Sequence, residues 1–127
     1  MSREWTLTIP APADWMNSNK RYKRRPNDVI KAWKDAATVY ARKARMPKLA
    51  AVHIVATLHF TNRIRRDAPN YYPTIKAAID GIVVAGVLAD DNNDHVRSLT
   101  IQPGTPIARK PFGPNGQLVL TIVEVVS

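Results

Sequence analysis

The chain has no cysteine among its 127 residues. That excludes a disulfide framework, a thiolate zinc site and a cysteine nucleophile, and it fits an intracellular, reducing compartment. Serine and glycine are scarce too. Ser2, Ser18, Ser98 and Ser127 sit in no G-x-S-x-G elbow, and the five glycines form no P-loop or dinucleotide fingerprint. No apolar run is long enough to span a membrane, and MSREWTLTIPAP lacks the apolar core of a signal peptide. A soluble protein with no membrane partner is expected. With 45% hydrophobic and 23% charged residues, the composition suits one globular domain over residues 1–127 rather than a disordered chain.

Carboxylates are the next scarcity. Ten Asp and Glu stand against nineteen Lys and Arg, for a net charge of +9. Such an excess implies an anionic partner, because counterions released from a phosphate backbone drive association. Residues 20–34 hold seven bases and a single acid, Asp28. Five of the ten acids, by contrast, fall between Asp67 and Asp94, where Lys76 is the only base. Carboxylates gathered in this way repel one another and repel phosphate. A bound divalent cation would resolve both conflicts.

Hydrophobic periodicity orders the elements. Trp5, Leu7 and Ile9 alternate with polar residues and predict a short strand that stops at Pro10. A polar, basic loop runs from Ala11 to Pro26. Asn27 or Asp28 is placed to cap a helix whose apolar positions are Val29, Trp33, Ala36, Ala37, Tyr40 and Ala44, ending before Pro47. Val52, Ile54, Ala56, Leu58 and Phe60 form one face of a strand that leads into Arg63, Arg65, Arg66 and Asp67. Asn70 is the expected cap of a second helix, with Pro73 tolerated in its first turn, Ile75, Ile79 and Ile82 as its buried stripe, and Gly86 as its stop. Lys76 and Asp80 stand four apart on another face. A strand through Val96 and Ile101 and a last strand from Leu118 to Val126 follow; apolar residues on both faces of the last make it central. The order β-α-β-α-β-β predicts an α+β, two-layer sandwich with a mixed sheet.

Most chemistries find little purchase. Tyr71 and Tyr72 read as packing or base stacking rather than as nucleophiles. His53 and His59 share a strand face without a third ligand, whereas His95 abuts the acidic loop Asp90 to Asp94. Asp67 at a strand end, with Asp90 and Asp91 beyond the next helix, can converge over one sheet edge. Oxygen ligands of this kind suit Mg²⁺ or Mn²⁺ and phosphodiester hydrolysis, with Lys76 placed to meet the phosphate.

The run RRDAPNYYPTIKAAIDGIVVAGVLADD, with HV soon after it, resembles the RusA family of Holliday junction resolvases, especially its bacteriophage-type members. WMNSNKRYKR is similar to that family's asparagine-containing basic stretch. The resemblance covers most of the chain, and its specific part lies between Arg65 and Val96. It implies a homodimeric, Mg²⁺-dependent endonuclease that nicks four-way DNA junctions symmetrically, in the cytoplasm of a bacterial host cell. It matches Asp67 to the first catalytic aspartate, Asp90 and Asp91 to the aspartate pair (Asp91 being the better match to its catalytic member), and Lys76 in KAAID to the essential lysine. Asp67, Asp90 and Asp91 are then the implied metal ligands. Asn17, Asn19, Lys20, Arg21, Lys23, Arg24, Arg25, Arg63, Arg65 and Arg66 are the implied DNA contacts, supported around the site by Asn70, Asp80, Asp94 and His95.

One departure stands out. The family's D-x-D-N reads DAPN here, so Pro69 occupies the place of a second aspartate and cannot bind metal, and three extra residues separate Asn70 from Lys76. Either Asn70, Asp80 or Asp94 completes the coordination, or one metal is held more loosely. Two alternatives stay open on the residues: a non-catalytic DNA-binding module of the same fold, and a less selective nuclease acting on forks, flaps or RNA.

Overall fold

The alternation that predicts strands is the alternation of burial. Along β2 (Val52–His59), Val52, Ile54, Ala56 and Leu58 are buried, while His53 faces solvent and the other residues between are half-buried. The computed structural model describes residues 2–19, 26–109 and 115–126. Within them β1 (Glu4–Pro10), α1 (Pro26–Lys43), β2, α2 (Tyr72–Val84), β3 (Val96–Pro103) and β4 (Gln117–Glu124) follow in that order. The four strands form one sheet in the order β1-β4-β2-β3. β4 is antiparallel to both of its neighbours, and β2 and β3 are parallel. The fold is α+β: a mixed sheet with two helices packed against it. β4 is central, as its apolar residues on both faces require. Leu118, Leu120 and Ile122 are fully buried in one core cluster with Leu7, Ile9, Ile54 and Leu58. No helix among the described residues is long and apolar enough to cross a membrane.

Several boundaries differ from expectation. α1 opens at Pro26, which has no amide hydrogen to leave unpaired, so Asn27 and Asp28 lie inside the first turn rather than capping it. Asp28 still favours that end through its negative charge. Ala44 lies beyond the helix and is exposed, and Ala41 is buried in its stead. Asn70 is not the cap of α2: a 3₁₀ turn, Ala68–Tyr71, precedes the helix, and Tyr71 takes the N-cap position without a side-chain bond. Pro69 in that turn and Pro73 in the next each lack an amide hydrogen, which reduces the need for a capping oxygen. The last strand ends at Glu124 instead of Val126. His53 is exposed, with its Nδ1 2.7 Å from Ser98 Oγ.

Both helices end in the same motif. Gly86 has φ of 86°, its N–H donates to Val83 O, and Val87 N–H reaches back to Ile82 O. Arg45 does the same for α1 with φ of 53°, donating to Arg42 O while Met46 N–H donates to Ala41 O. These are paired reverse bonds around a left-handed residue, satisfying carbonyls that a helix end leaves open.

The helices cross at Gly81. A Cβ there would lie 2.2 Å from Lys34 O and 2.9 Å from Ala37 Cβ, and Thr38 Oγ1 bridges the crossing by donating to Gly81 O at 2.9 Å. Helix propensity alone favours Gly81→Ala by about 1 kcal/mol. The backbone contact reverses the sign, since α1 and α2 must separate to admit a methyl group. A net loss of about 1–3 kcal/mol is expected, read as a lower midpoint in urea. A raised midpoint would show that the helices sit further apart in solution.

Candidate active site and nucleic-acid surface

Lys76 is where the acidic segment converges. It projects from α2, and Nζ donates to Asp80 Oδ1 at 2.7 Å, one turn along, and to Asp91 Oδ2 from the loop that follows the helix. Asp90 lies beside them and folds back on its own loop, accepting the Asp91 N–H at 2.7 Å. Asp94 N–H bonds Asn92 Oδ1 at 3.1 Å, and the His95 and Val96 amides both donate to Asn92 O. The loop is thus shaped by its own asparagine and aspartate side chains. The lone base of the segment pairs with two of its carboxylates and offsets one of their two charges, part of the compensation that composition assigned to a cation.

Electrostatics follow from that contact. The Asp80 carboxylate, and then Asp91, hold the Lys76 ammonium above its ordinary 10.5. Lys76 in turn holds the Asp91 carboxyl below its ordinary 3.8. A lowered carboxylate stabilises the fold above its unfolded pKa and loses that contribution as pH falls through the folded value. A raised lysine contributes below its unfolded pKa and loses it as pH rises through the folded value. The pair therefore supports the fold between about pH 4 and pH 10. In the metal-free protein, a carboxyl ¹³C titration is expected to place the Asp91 midpoint below 3.8, rising in Lys76→Met. A midpoint at or above 3.8 in the parent would mean the pair does not form.

Beside the triad opens a cleft of about 330 Å³ between α2 and β3, lined by Tyr72, Lys76, Asp91, Asn93, Arg97 and Ser98 among others. Tyr72 is exposed there, whereas Tyr71 is buried and packs its ring 5.2 Å from Phe60. Arg97, Ser98 and Asn93 carried no signal beyond the polar positions of an alternating strand and loop. They matter because α2 lies over the edge strand that holds two of them.

Asp67 is placed differently. β2 ends at His59, so Asp67 is not at a strand end. Phe60 turns away to join Trp15 and Tyr71, and residues 61–66 intervene before Asp67 begins the 3₁₀ turn. Asp67 is exposed and does not line the cleft. Among the described residues, no three His, Asp or Glu side chains come together as a metal-holding group. Asp90 and Asp91 supply oxygen donors of the type that Mg²⁺ takes, commonly one or two carboxylates with phosphate and water completing its shell. His95 faces another way, donating Nδ1–H to Ala50 O at 2.9 Å.

The predicted DNA contacts divide. Lys20, Arg21, Lys23, Arg24 and Arg25 lie outside the described residues. Asn17 and Asn19 sit in a loop pinned to the start of α2. The buried Thr74 hydroxyl accepts from Met16 N–H at 2.7 Å and donates to Met16 O at 3.0 Å, and Ser18 N–H donates to Asn70 O at 2.8 Å. Residues 16–18 therefore lie beside Asn70 and the turn that carries Asp67. Arg63 and Arg65 are exposed, and Arg66 is half-buried with its guanidinium 3.9 Å from the Phe60 ring centre. No known family model matches the chain, and no curated protein matches it.

Proposed function

We propose that the chain is a metal-dependent, structure-specific DNA endonuclease of the RusA kind, resolving four-way junctions by phosphodiester hydrolysis as a homodimer. The observation that carries this reading is Lys76 held between Asp80 and Asp91, with Asp90 adjacent, at the mouth of a cleft that also presents Arg97. Asp90 and Asp91 would hold Mg²⁺ or Mn²⁺; Asp67, exposed and outside the cleft, would join them only through a shift of the turn that carries it when the ion binds. An ion bound there supplies Lewis acidity and a more acidic water. Asp80 keeps the Lys76 ammonium in place when Asp91 turns to the ion, leaving Lys76 to stabilise charge on the phosphate. Arg63, Arg65 and the basic stretch before α1 hold the flanking backbone. Symmetric nicks across a two-fold junction call for two related sites, hence the homodimer.

The non-catalytic alternative draws on one feature, that Lys76 already pairs with both Asp80 and Asp91 without a metal. End-labelled four-way, forked and linear DNA, with and without Mg²⁺, separate the readings. Paired nicks in the four-way junction are expected with Mg²⁺ or Mn²⁺, and none with Ca²⁺ or excess EDTA. Tight binding without nicking in every metal would assign the non-catalytic module. Equal cutting of forks, flaps or RNA would assign the less selective nuclease.

A further inference from the structure

A second pocket lies away from Lys76. It encloses about 310 Å³ between residues 62–66 and residues 103–106, over a floor of Leu58, Phe60 and Ala68. Three arginines, Arg63, Arg65 and Arg66, line it with no carboxylate among its lining residues. Both walls are built. Gly104 N–H donates to Leu58 O at 2.8 Å, Ile107 N–H to Phe60 O at 2.9 Å, and His59 Nδ1–H to Thr105 O at 2.8 Å. The backbone at Gly104 lies so close to the His59 ring that a Cβ would come within 2.5 Å of it. On the other wall, Asn62 Oδ1 accepts from Ile64 N–H at 3.2 Å, and Ile64 stays 66% exposed at the rim.

Arg66 is the central group. One face of its guanidinium is stacked on Phe60 at 3.9 Å, and Nη1 donates to Ile64 O at 3.2 Å. Phe60 is itself fixed by Trp15 and Tyr71, with ring centres at 4.8 and 5.2 Å. The guanidinium is thus held before any ligand arrives, and Arg66 lines the pocket. A flat cationic plane over an apolar floor takes the face of a base, and exposed arginines at the rim take phosphate. The volume is at the lower end for small-molecule sites and admits a single nucleotide, not a duplex.

We infer that this pocket receives one unpaired nucleotide of a branched DNA, its base stacked on the Arg66–Phe60 pair and its flanking phosphates held by Arg63 and Arg65. The inference rests on the endonuclease reading only for the identity of the polymer. It adds a means by which strand separation at a branch point is recognised apart from the cutting centre.

The test is binding in EDTA, which leaves nicking out. Junctions carry either 2-aminopurine or an abasic residue at the branch point, with matched probes in the arms. The parent protein is expected to bind the base-bearing branch about tenfold or more tighter than the abasic one, and to change 2-aminopurine fluorescence at the branch but not in the arm. Arg66→Leu is expected to lose that preference with its melting temperature kept. Arg65→Gln should weaken both junctions alike. Equal binding of base-bearing and abasic junctions by the parent would overturn the inference, as would a polyglutamate peptide binding as tightly as the DNA. Junction nicking without base preference removes this pocket alone; base preference without nicking removes the endonuclease reading alone.

Discussion

Asparagine at Asp91, or at Asp67, is expected to slow Mg²⁺-dependent junction nicking by about 100-fold or more. In each case one ligand charge is lost where the cation would bind. Asp91→Asn does more, because it also releases Lys76, which would then be held by Asp80 alone. Metal-free junction binding should survive or tighten, since both variants remove a negative charge from a surface that faces phosphates. Lys76→Ala differs in direction: nicking falls, and affinity falls with it, because attraction is removed. Three measurements on the same variants decide: nicking rate, junction affinity and melting temperature. Near-parental cutting by both Asp→Asn variants would falsify the site. Loss of activity that tracks a fall in melting temperature would make Asp67 and Asp91 structural.

Trp33→Ala is expected to cost about 3–5 kcal/mol, a fall of roughly 10–20 °C in melting temperature. Trp33 on α1 is 0% exposed and is the largest of the fully buried side chains. Its ring lies 4.8 Å from that of Trp15, and its Nε1–H donates to Asp14 O at 2.9 Å. Truncation therefore leaves both a cavity and an unpaired carbonyl. It also loosens residues 14–16, which Thr74 and Trp15 fasten to α2 and to Asn115 O. Trp33→Phe keeps most of the volume and loses the hydrogen bond, so about 1–2 kcal/mol is expected. Similar losses in the two variants, measured by urea denaturation, would show that the carbonyl rather than the cavity dominates.

The regular elements were legible because burial repeats with their own period. The inward residues of β2, the Ile75, Ile79 and Ile82 stripe, and the two apolar faces of β4 all stand where alternation or helical spacing put them. Lys76 with Asp80 was legible as a four-residue spacing, whereas Asp91, expected to converge with Asp67, lies against Lys76 instead. What stayed hidden depends on contacts between distant residues or on departures from a rule. Arg45 ends α1 in a conformation that sequence patterns assign to glycine. Thr74 looks like any helical threonine until Met16 lies against it. The Phe60 turn, which moves Asp67 off the strand, depends on an aromatic cluster whose members come from three separate stretches. Arg66 gave a charge in the sequence and a fixed plane in the fold.

The place of β4 has a kinetic meaning. The strand that lies between β1 and β2 is the last to appear along the chain. During synthesis β2 and β3 can pair once α2 has crossed between them, but β1 has no neighbour until Gln117–Glu124 emerges. Trp5 meets Ile122 across nearly the whole sequence, which makes closure of the sheet a slow, non-local step. Until then Leu7, Ile9, Ile54 and Leu58 lack the strand that joins them into one core, in the kind of open-edged intermediate that associates with its own copies. Chains halted before Gln117 are therefore expected to go to aggregates, while the sheet, once closed around β4, has β1 and β3 as its edges.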